Sequence, residues 1–551
     1  MPSFNLIRDP WIPVITRSRQ RRTILPAELT RDLASDPIVE IGWPRADLRA
    51  ATLEFLIGLL TTACVPEGDD DWRGWWDDPP SPEDLAARFE PYASAFDLDG
   101  DGPLFLQDRG ALGDELSSVA GLIIDQPGAN TEKNNADLFV KRGQVGVLAR
   151  STAAIVLYAL QAFAPSGGAG HRTSLRGGGP LVTLAVPPKE DDDHAALWHR
   201  LWLNVVSLYD PFEHGEPLDE PARAFPWLAD TRVSDKTGVL TTGADVHPVQ
   251  CFWGMPRRIA LVFEENVEGL PCDLTGRVDD VIVRSYRTRP YGVNYDAVAH
   301  PLTPYYRVKP GASEWLPVHP QPGGIAYRNW LGFVQEPKTG LRRPALCVTV
   351  ARQRLRSSAR LSLLGYDMDN MKARGFVEAE MPLFSPSEIG KREKLDTLAE
   401  RMVEGASEVA GLLLSQIKAA TGDAGGGLDL IRETFFKATE NAFFEHLATG
   451  FAAIEAAPDG EEHPDLLIKP GMTWLERTLA PVALDTFGRH VKPEAAVMNG
   501  DLKAIRRAVD AKAILGAGLK GYGPSGRSII KALTGADAAP PARKSRKGSR
   551  S

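Results

Sequence analysis

Cysteine is scarce: Cys64, Cys251, Cys272 and Cys347 are the only four in 551 residues, with no C-x-x-C pair among them. No histidine stands at finger spacing from any of them, so neither a disulfide framework nor a zinc site is expected. The ten histidines are scattered as well. His194 and His199 in "DDDHAALWHRLW" are five apart, whereas two ligands on one helix face need a spacing of four. No metal and no cofactor are therefore expected. Long apolar runs are also missing. The longest, "AAIVLYALQAFA" (153–164), stops near a dozen residues, against the ~20 of a membrane helix. The start, "MPSFNLIRDPWIPV", lacks the basic stretch followed by a greasy one that marks a signal peptide. The expectation is a cytoplasmic protein with no membrane partner. Positive charge is not in excess either, because the formal net charge is −9. Gripping nucleic acid by bulk electrostatics relies on a basic surface that releases counterions. Any such role here needs local basic spots or partner subunits.

What is present is a soluble globular composition, 43% hydrophobic and 25% charged, on a chain long enough for two to four domains. The texture changes near residue 385. Before it, "GPLVTLAVP" (179–187), "RIALVFEE" (258–265) and "PALCVTVAR" (344–352) read as strands between loops rich in proline and glycine. Helical stretches such as "RAATLEFLIGLLTTAC" (49–64) separate them, with one broad apolar face. After it, Leu395, Leu398, Met402, Val409 and Leu412 recur at three- and four-residue steps or a heptad. A second helix follows the break "GDAGGG" (422–427), with two more around 471–487 and 493–515. The fold class expected is α+β: a large mixed α/β N-terminal domain over 1–385, then a C-terminal four-helix bundle over 386–535. The remainder, 536–551, carries the basic run "PPARKSRKGSR" and reads as a disordered tail, either solvated or touching nucleic acid.

Three stretches invite an enzymatic reading. "GYGPSGRS" (521–528) has P-loop spacing, but Arg527 stands where that loop needs lysine, and it follows a helical segment; a helix-ending turn is expected. "DLDGDGPLFLQD" (97–108) copies half of a calcium loop, yet Pro103 and Asp108 occupy positions seven and twelve. A polar turn before a strand-like "PLFLQ" is expected there. "PSGGAGHRTSLRGGGP" (165–180) packs six glycines into sixteen positions and begins a G-x-G-x-x-G pattern that Thr173 fails to complete. Its glycines serve either as flexible connection or as backbone that lets a ligand approach closely. His171, Arg172 and Arg176 favour an anionic ligand if they are not simply solvated.

Read together, the motifs resemble a family. "FNLIRDPWIPV" (4–14), the F-x-L-x-G…P-L-F-L-Q stretch (96–107), "LFVKRGQ" (138–144) and "GGAGHRTSLRGGGP" come in the order of the large subunit (CasA-type) of the type I-E CRISPR Cascade surveillance complex. "FWGMP" (252–256), "HPLTP" (300–304), "LLGYDMDNMKA" (363–373) and a closing helical bundle continue it. The resemblance implies a non-catalytic role in an RNA-guided antiviral complex. Such a subunit recognises the protospacer-adjacent motif in double-stranded target DNA through the minor groove and helps open the duplex for R-loop formation. It also docks a helicase-nuclease. Its implied partners are guide RNA, target DNA, the backbone and small Cascade subunits, and that recruited helicase-nuclease.

Carried over residue by residue, the resemblance puts a groove-facing glycine loop on Gly167, Gly168, Ala169 and Gly170. Small residues suit a groove only about 6 Å wide. The family's groove lysine, counted back from His300, falls on Arg289, with Arg287 the neighbouring choice; arginine favours narrow minor grooves. Its wedge glutamine falls on Asn370, followed by Met371, so the wedge register departs from the pattern. Asp367 and Asp369 are expected to point away from phosphate. Phe139, Lys141 and Arg142 fall in the loop that touches guide RNA or a neighbouring subunit, with Lys141 where the family has asparagine. The cysteine cluster some relatives use for zinc is reduced here to Cys272. The competing readings are a nucleotide- or metal-dependent nucleic-acid enzyme and a scaffold that only contacts other subunits.

Overall fold

The computed structural model describes residues 3–127, 133–135, 142–168, 170–188, 191–208, 218–321, 324–336, 340–355, 358–369, 371–422, 427–458, 464–492 and 501–536. They divide into two compact units. The first comprises residues 1–324, 332–355 and 359–383; the second comprises 325–331, 356–358 and 384–551.

The first unit is built on antiparallel sheets and two buried helices, Ala46–Ala63 and Arg150–Phe163. Ile12–Thr16 runs between Arg21–Ile24 and Ile38–Ile41. Val281–Arg289 pairs along its length with Arg258–Glu265, and also with the short Ser117–Ser118 and Leu148–Ala149. Ala359–Asp369 runs between Val182–Val186 and Lys372–Leu383. The helix Ala46–Ala63 is buried on nearly all sides, not on one broad face, which is the behaviour of a helix apolar all round. Its Phe55 ring meets Trp11, Phe96, Phe105, Tyr158 and Trp253 edge-on at 5.3–5.9 Å. Edge-to-face contact suits the aromatic quadrupole and fixes each ring's position as well as burying it.

Two expected strands are absent from their places. "PALCVTVAR" folds as the helix Leu346–Arg354, which buries Cys347, Val348, Ala351 and Arg352, a helical repeat that overrides its β-branched residues. "PLFLQ" forms no strand; Phe105 and Leu106 are buried, Gln107 Nε2 donates to the Leu98 carbonyl (2.8 Å), and Asn5 bridges to Asp97.

The second unit is helical. Ile389–Thr421 ends at Gly422 in the left-handed conformation (φ 68°), and Leu428–Ala456 follows. Pro464–Trp474 runs through a π turn, Leu475–Leu479, into Ala480–His490. Leu502–Leu519 comes next; the earlier part of its expected span, 493–500, lies outside the described residues. "GYGPSGRS" is a turn from that helix into a further one, Gly523–Thr534, with the Tyr522 N–H donating back to the Ala517 carbonyl (3.0 Å). Tyr327, from the segment 325–331, belongs to this unit: its ring stacks on Phe443 at 4.4 Å and its hydroxyl meets Thr439 at 3.0 Å.

Candidate nucleic-acid interface

The glycine-rich stretch emerges from the helix Arg150–Phe163, which confirms the helical reading of "STAAIVLYALQAFA". Beyond it the chain makes a tight turn. The Gly167 N–H donates to the His171 carbonyl (3.2 Å), and the His171 N–H donates to the Gly168 carbonyl (2.8 Å). Gly168 and Gly170 hold φ of 70° and 85°, the left-handed region where glycine is unstrained. Their surroundings differ. A Cβ at Gly168 would meet nothing within 4 Å, whereas one at Gly170 would lie 2.5 Å from the Tyr291 ring. Ala169 lies outside the described residues.

Tyr291 ties this turn to the expected groove arginine. Its N–H donates to the Gly170 carbonyl (2.8 Å), and Arg172 lies over its ring at 5.8 Å. Two residues earlier, Arg289 ends the strand Val281–Arg289, exposed. Arg289 and Tyr291 line an open cleft of about 520 Å³ together with Asp114, Glu115 and Arg258. Arg258 is engaged with Asp108 (2.6 Å), and the two acidic residues make the cleft's field mixed. Arg287, the neighbouring choice, sits inside the strand opposite Ala260 and is less exposed.

Under the turn lies Arg257, which sequence reasoning passed over. Its Nη2 donates to the Pro165 carbonyl, and its backbone is clamped by Gln161, with N–H to Oε1 and Nε2 to C=O both 2.9 Å. Burial lowers its guanidinium to about 10. Burial, and then the Arg257 charge, pull the His171 imidazole below its ordinary value. The signal available was the pair "RR" directly after "FWGMP".

Arg176 departs from expectation. It is not at the surface but 2% exposed, donating to Glu54 (2.5 Å) and Thr303 (3.1 Å), with His300 Nδ1 at 3.5 Å. It therefore joins the glycine stretch to "HPLTP" and to the central helix, and offers nothing to an external anion. Burial alone would raise the Glu54 carboxyl; Arg176 and His300 outweigh it and hold it below the usual range. Burial, then the Arg176 charge, lower His300 to about 4, so it is neutral at pH 7.

The second glycine cluster is a turn into the strand Val182–Val186. At Gly179 (φ 66°) a Cβ would lie 2.6 Å from the Tyr366 carbonyl oxygen, so glycine lets this turn pack directly under the hairpin Ala359–Leu383. Tyr366 also donates its hydroxyl to Asp47 (2.5 Å). The stretch expected to carry the wedge falls at the end of that hairpin, with Met371 57% exposed. Asn370 lies outside the described residues. Asp367 and Asp369 both face Arg374, at 2.7 Å and 3.9 Å, which neutralises much of their charge.

Phe139 and Lys141 also lie outside the described residues, while Arg142 donates to Asn135 Oδ1 (3.0 Å). Just beyond, Gly146 and Val147 donate their N–H groups to Asp273 (2.7 Å and 2.8 Å). Cys272 is buried, its Sγ 3.5 Å from Thr152 Oγ1. Among the described residues, no three His, Cys, Asp or Glu side chains are grouped to hold a metal ion, and no helix is long and apolar enough to cross a membrane.

The architecture has close counterparts. Cse1 of Thermobifida fusca is 19% identical, with a TM-score of 0.67 over 96% of this chain and 98% of that one. CasA of Thermus thermophilus is 19% identical, with a TM-score of 0.64 over 93% and 99%. A chain of a CRISPR RNA-guided surveillance complex is 16% identical, with a TM-score of 0.60 over 94% and 100%. At these identities the likeness is one of fold. Sequence adds the family, since the model for CRISPR-associated protein Cse1 matches residues 5–467, from "FNLIRDPWIPV" into the helical unit. The chain belongs to the CRISPR-associated protein Cse1 family.

Proposed function

We propose that this chain is the large, non-catalytic subunit of an RNA-guided surveillance complex, reading the protospacer-adjacent motif in duplex DNA through the minor groove. The observation that carries the reading is the coupling of the Gly167–Gly170 turn to the end of the Arg289 strand through Tyr291. A narrow, side-chain-poor turn beside an exposed arginine suits a groove that offers few donors and acceptors. The Met371 hairpin end, seated on the same glycine stretch through Gly179, is the wedge that starts strand separation. Phe139, Lys141 and Arg142 serve guide RNA or a neighbouring subunit. Partner subunits supply the positive field that a chain of net charge −9 lacks. The helicase-nuclease docks on the assembled complex.

The test assembles the full chain with guide RNA and partner subunits and compares duplexes that have or lack the adjacent motif. Gly168→Val is the informative variant, because its neighbourhood is open while its φ disfavours a branched side chain. The expected result is at least tenfold weaker motif-dependent binding with assembly retained. Equal binding of both duplexes by the unaltered complex would sink the reading, and failed assembly of Gly168→Val would make the turn structural.

A further inference from the structure

A pocket of about 240 Å³ opens beside the first sheet, and none of the residues assigned above lines it. Strand alternation puts Arg21 and Thr23 on one face of Arg21–Ile24, and Pro13 stands directly across from Thr23. The opposite wall is the turn 272–277, closed by Gly276 N–H to the Cys272 carbonyl (2.7 Å) and Cys272 N–H to the Arg277 carbonyl (2.9 Å). It contributes Thr275 and Arg277. Ser151, from the first turn of the helix Arg150–Phe163, adds a third hydroxyl.

Charge selects the ligand class. Among the described residues, no carboxylate lines the pocket and neither Arg21 nor Arg277 has an ion-pair partner. Two acids beside this turn are already engaged: Asp273 with the Gly146 and Val147 amides, Asp279 with Arg150 (2.9 Å). Two guanidiniums lining one opening favour an anion there, and their planar forks match phosphate oxygens. At about 240 Å³ the pocket lies below the roughly 300–1,000 Å³ of ordinary ligand sites, which restricts it to one small unit such as a single nucleotide and excludes a large cofactor. Pro13 and Pro44 give an apolar wall for a ring, which a stacked duplex could not present. The three hydroxyls suit a ribose 2′-OH, the group that separates RNA from DNA.

We propose that this pocket takes one nucleotide of a single-stranded RNA, with its phosphate between Arg21 and Arg277. The proposal rests on the functional reading above only in expecting RNA in the assembly. It is tested on the full chain by titrating a fluorescent single-stranded RNA across a salt series. The Arg21→Ala/Arg277→Ala variant should bind at least tenfold more weakly, and its salt slope should fall by about 1.4, two phosphate contacts at ~0.7 each. Arg21→Lys/Arg277→Lys should keep most of that slope and so separates lost charge from lost fold. Unchanged affinity and slope in the alanine variant overturn the assignment, as does absence of RNA binding by the unaltered chain. Inorganic phosphate binding as tightly as the RNA, or single-stranded DNA of the same sequence binding equally, overturns it too. Motif dependence is read separately on Gly168→Val complexes, so failure of either proposal is distinguishable from failure of the other.

Discussion

Arg176 and Glu54 form an ion pair almost wholly removed from water, 2% and 1% exposed, under the glycine-rich stretch. Removing one partner of such a pair leaves an uncompensated buried charge, a loss of about 3–5 kcal/mol. Arg176→Ala is therefore expected to lower the unfolding midpoint in denaturant steeply or to leave the chain insoluble. Arg176→Met with Glu54→Gln, which removes both charges, should be much milder. Equal stability of Arg176→Ala and the unaltered chain would show that the pair does not hold the stretch in place. At the turn itself, Gly170 is a poor place to probe a ligand, because a side chain there collides with Tyr291 before it could reach one. Gly168→Asn, by contrast, suits a positive φ and meets open space, so its melting temperature should stay within a few degrees of the parent.

The hairpin Ala359–Leu383 is the element on which the proposed wedge depends. Its two strands stay in register from Ala359↔Leu383 to Asp369↔Lys372, with one irregularity between Asp367 and Met368. Such an irregularity twists the ribbon locally and re-aims its end. Arg374 faces both aspartates near that end. Arg374→Ala is expected to leave the melting temperature unchanged, since exposed pairs add little stability. It should slow R-loop formation severalfold by releasing two negative charges toward phosphate, as measured by the rate of strand opening in the assembled complex. An unchanged rate would remove the hairpin end from the duplex. This element was expected only through the resemblance, from "LLGYDMDNMKA", and not from a strand pattern of its own. The helix Leu346–Arg354 was not legible in sequence, since its short apolar run satisfies either period and only its buried face decided between them.

For the whole molecule, acid should be destabilising, and the sign follows from two histidines. Burial lowers both His300 and His199 to about 4, with Arg176 adding to the effect at His300 and His194 at His199. An imidazole in the unfolded chain titrates near 6.5, so between that pH and about 4 the unfolded state binds more protons. Stability is then full above pH 6.5 and lost as pH falls toward 4, each pH step of one between those values costing about 1.4 kcal/mol per histidine. Glu54, held below its ordinary value, continues the loss at lower pH. Melting temperature against pH should show this decline, and His199→Gln should make it shallower; a flat profile from pH 7 to 4 would contradict the buried neutral histidines.

By itself the sequence determined the elements whose signal is local: the long apolar helix 46–63, the strands Val182–Val186 and Arg258–Glu265, and the regular helices after residue 385. The ordered motifs carried the family. Tertiary structure alone decided which charges face solvent and which serve the core. Arg176 looked like a ligand for an anion until Glu54, 122 positions away, was found against it. Tyr327 and Glu440 likewise meet across 113 positions in the helical unit. The physical reason is that burial and charge pairing are set by neighbours in space, which no pattern of neighbours in sequence encodes.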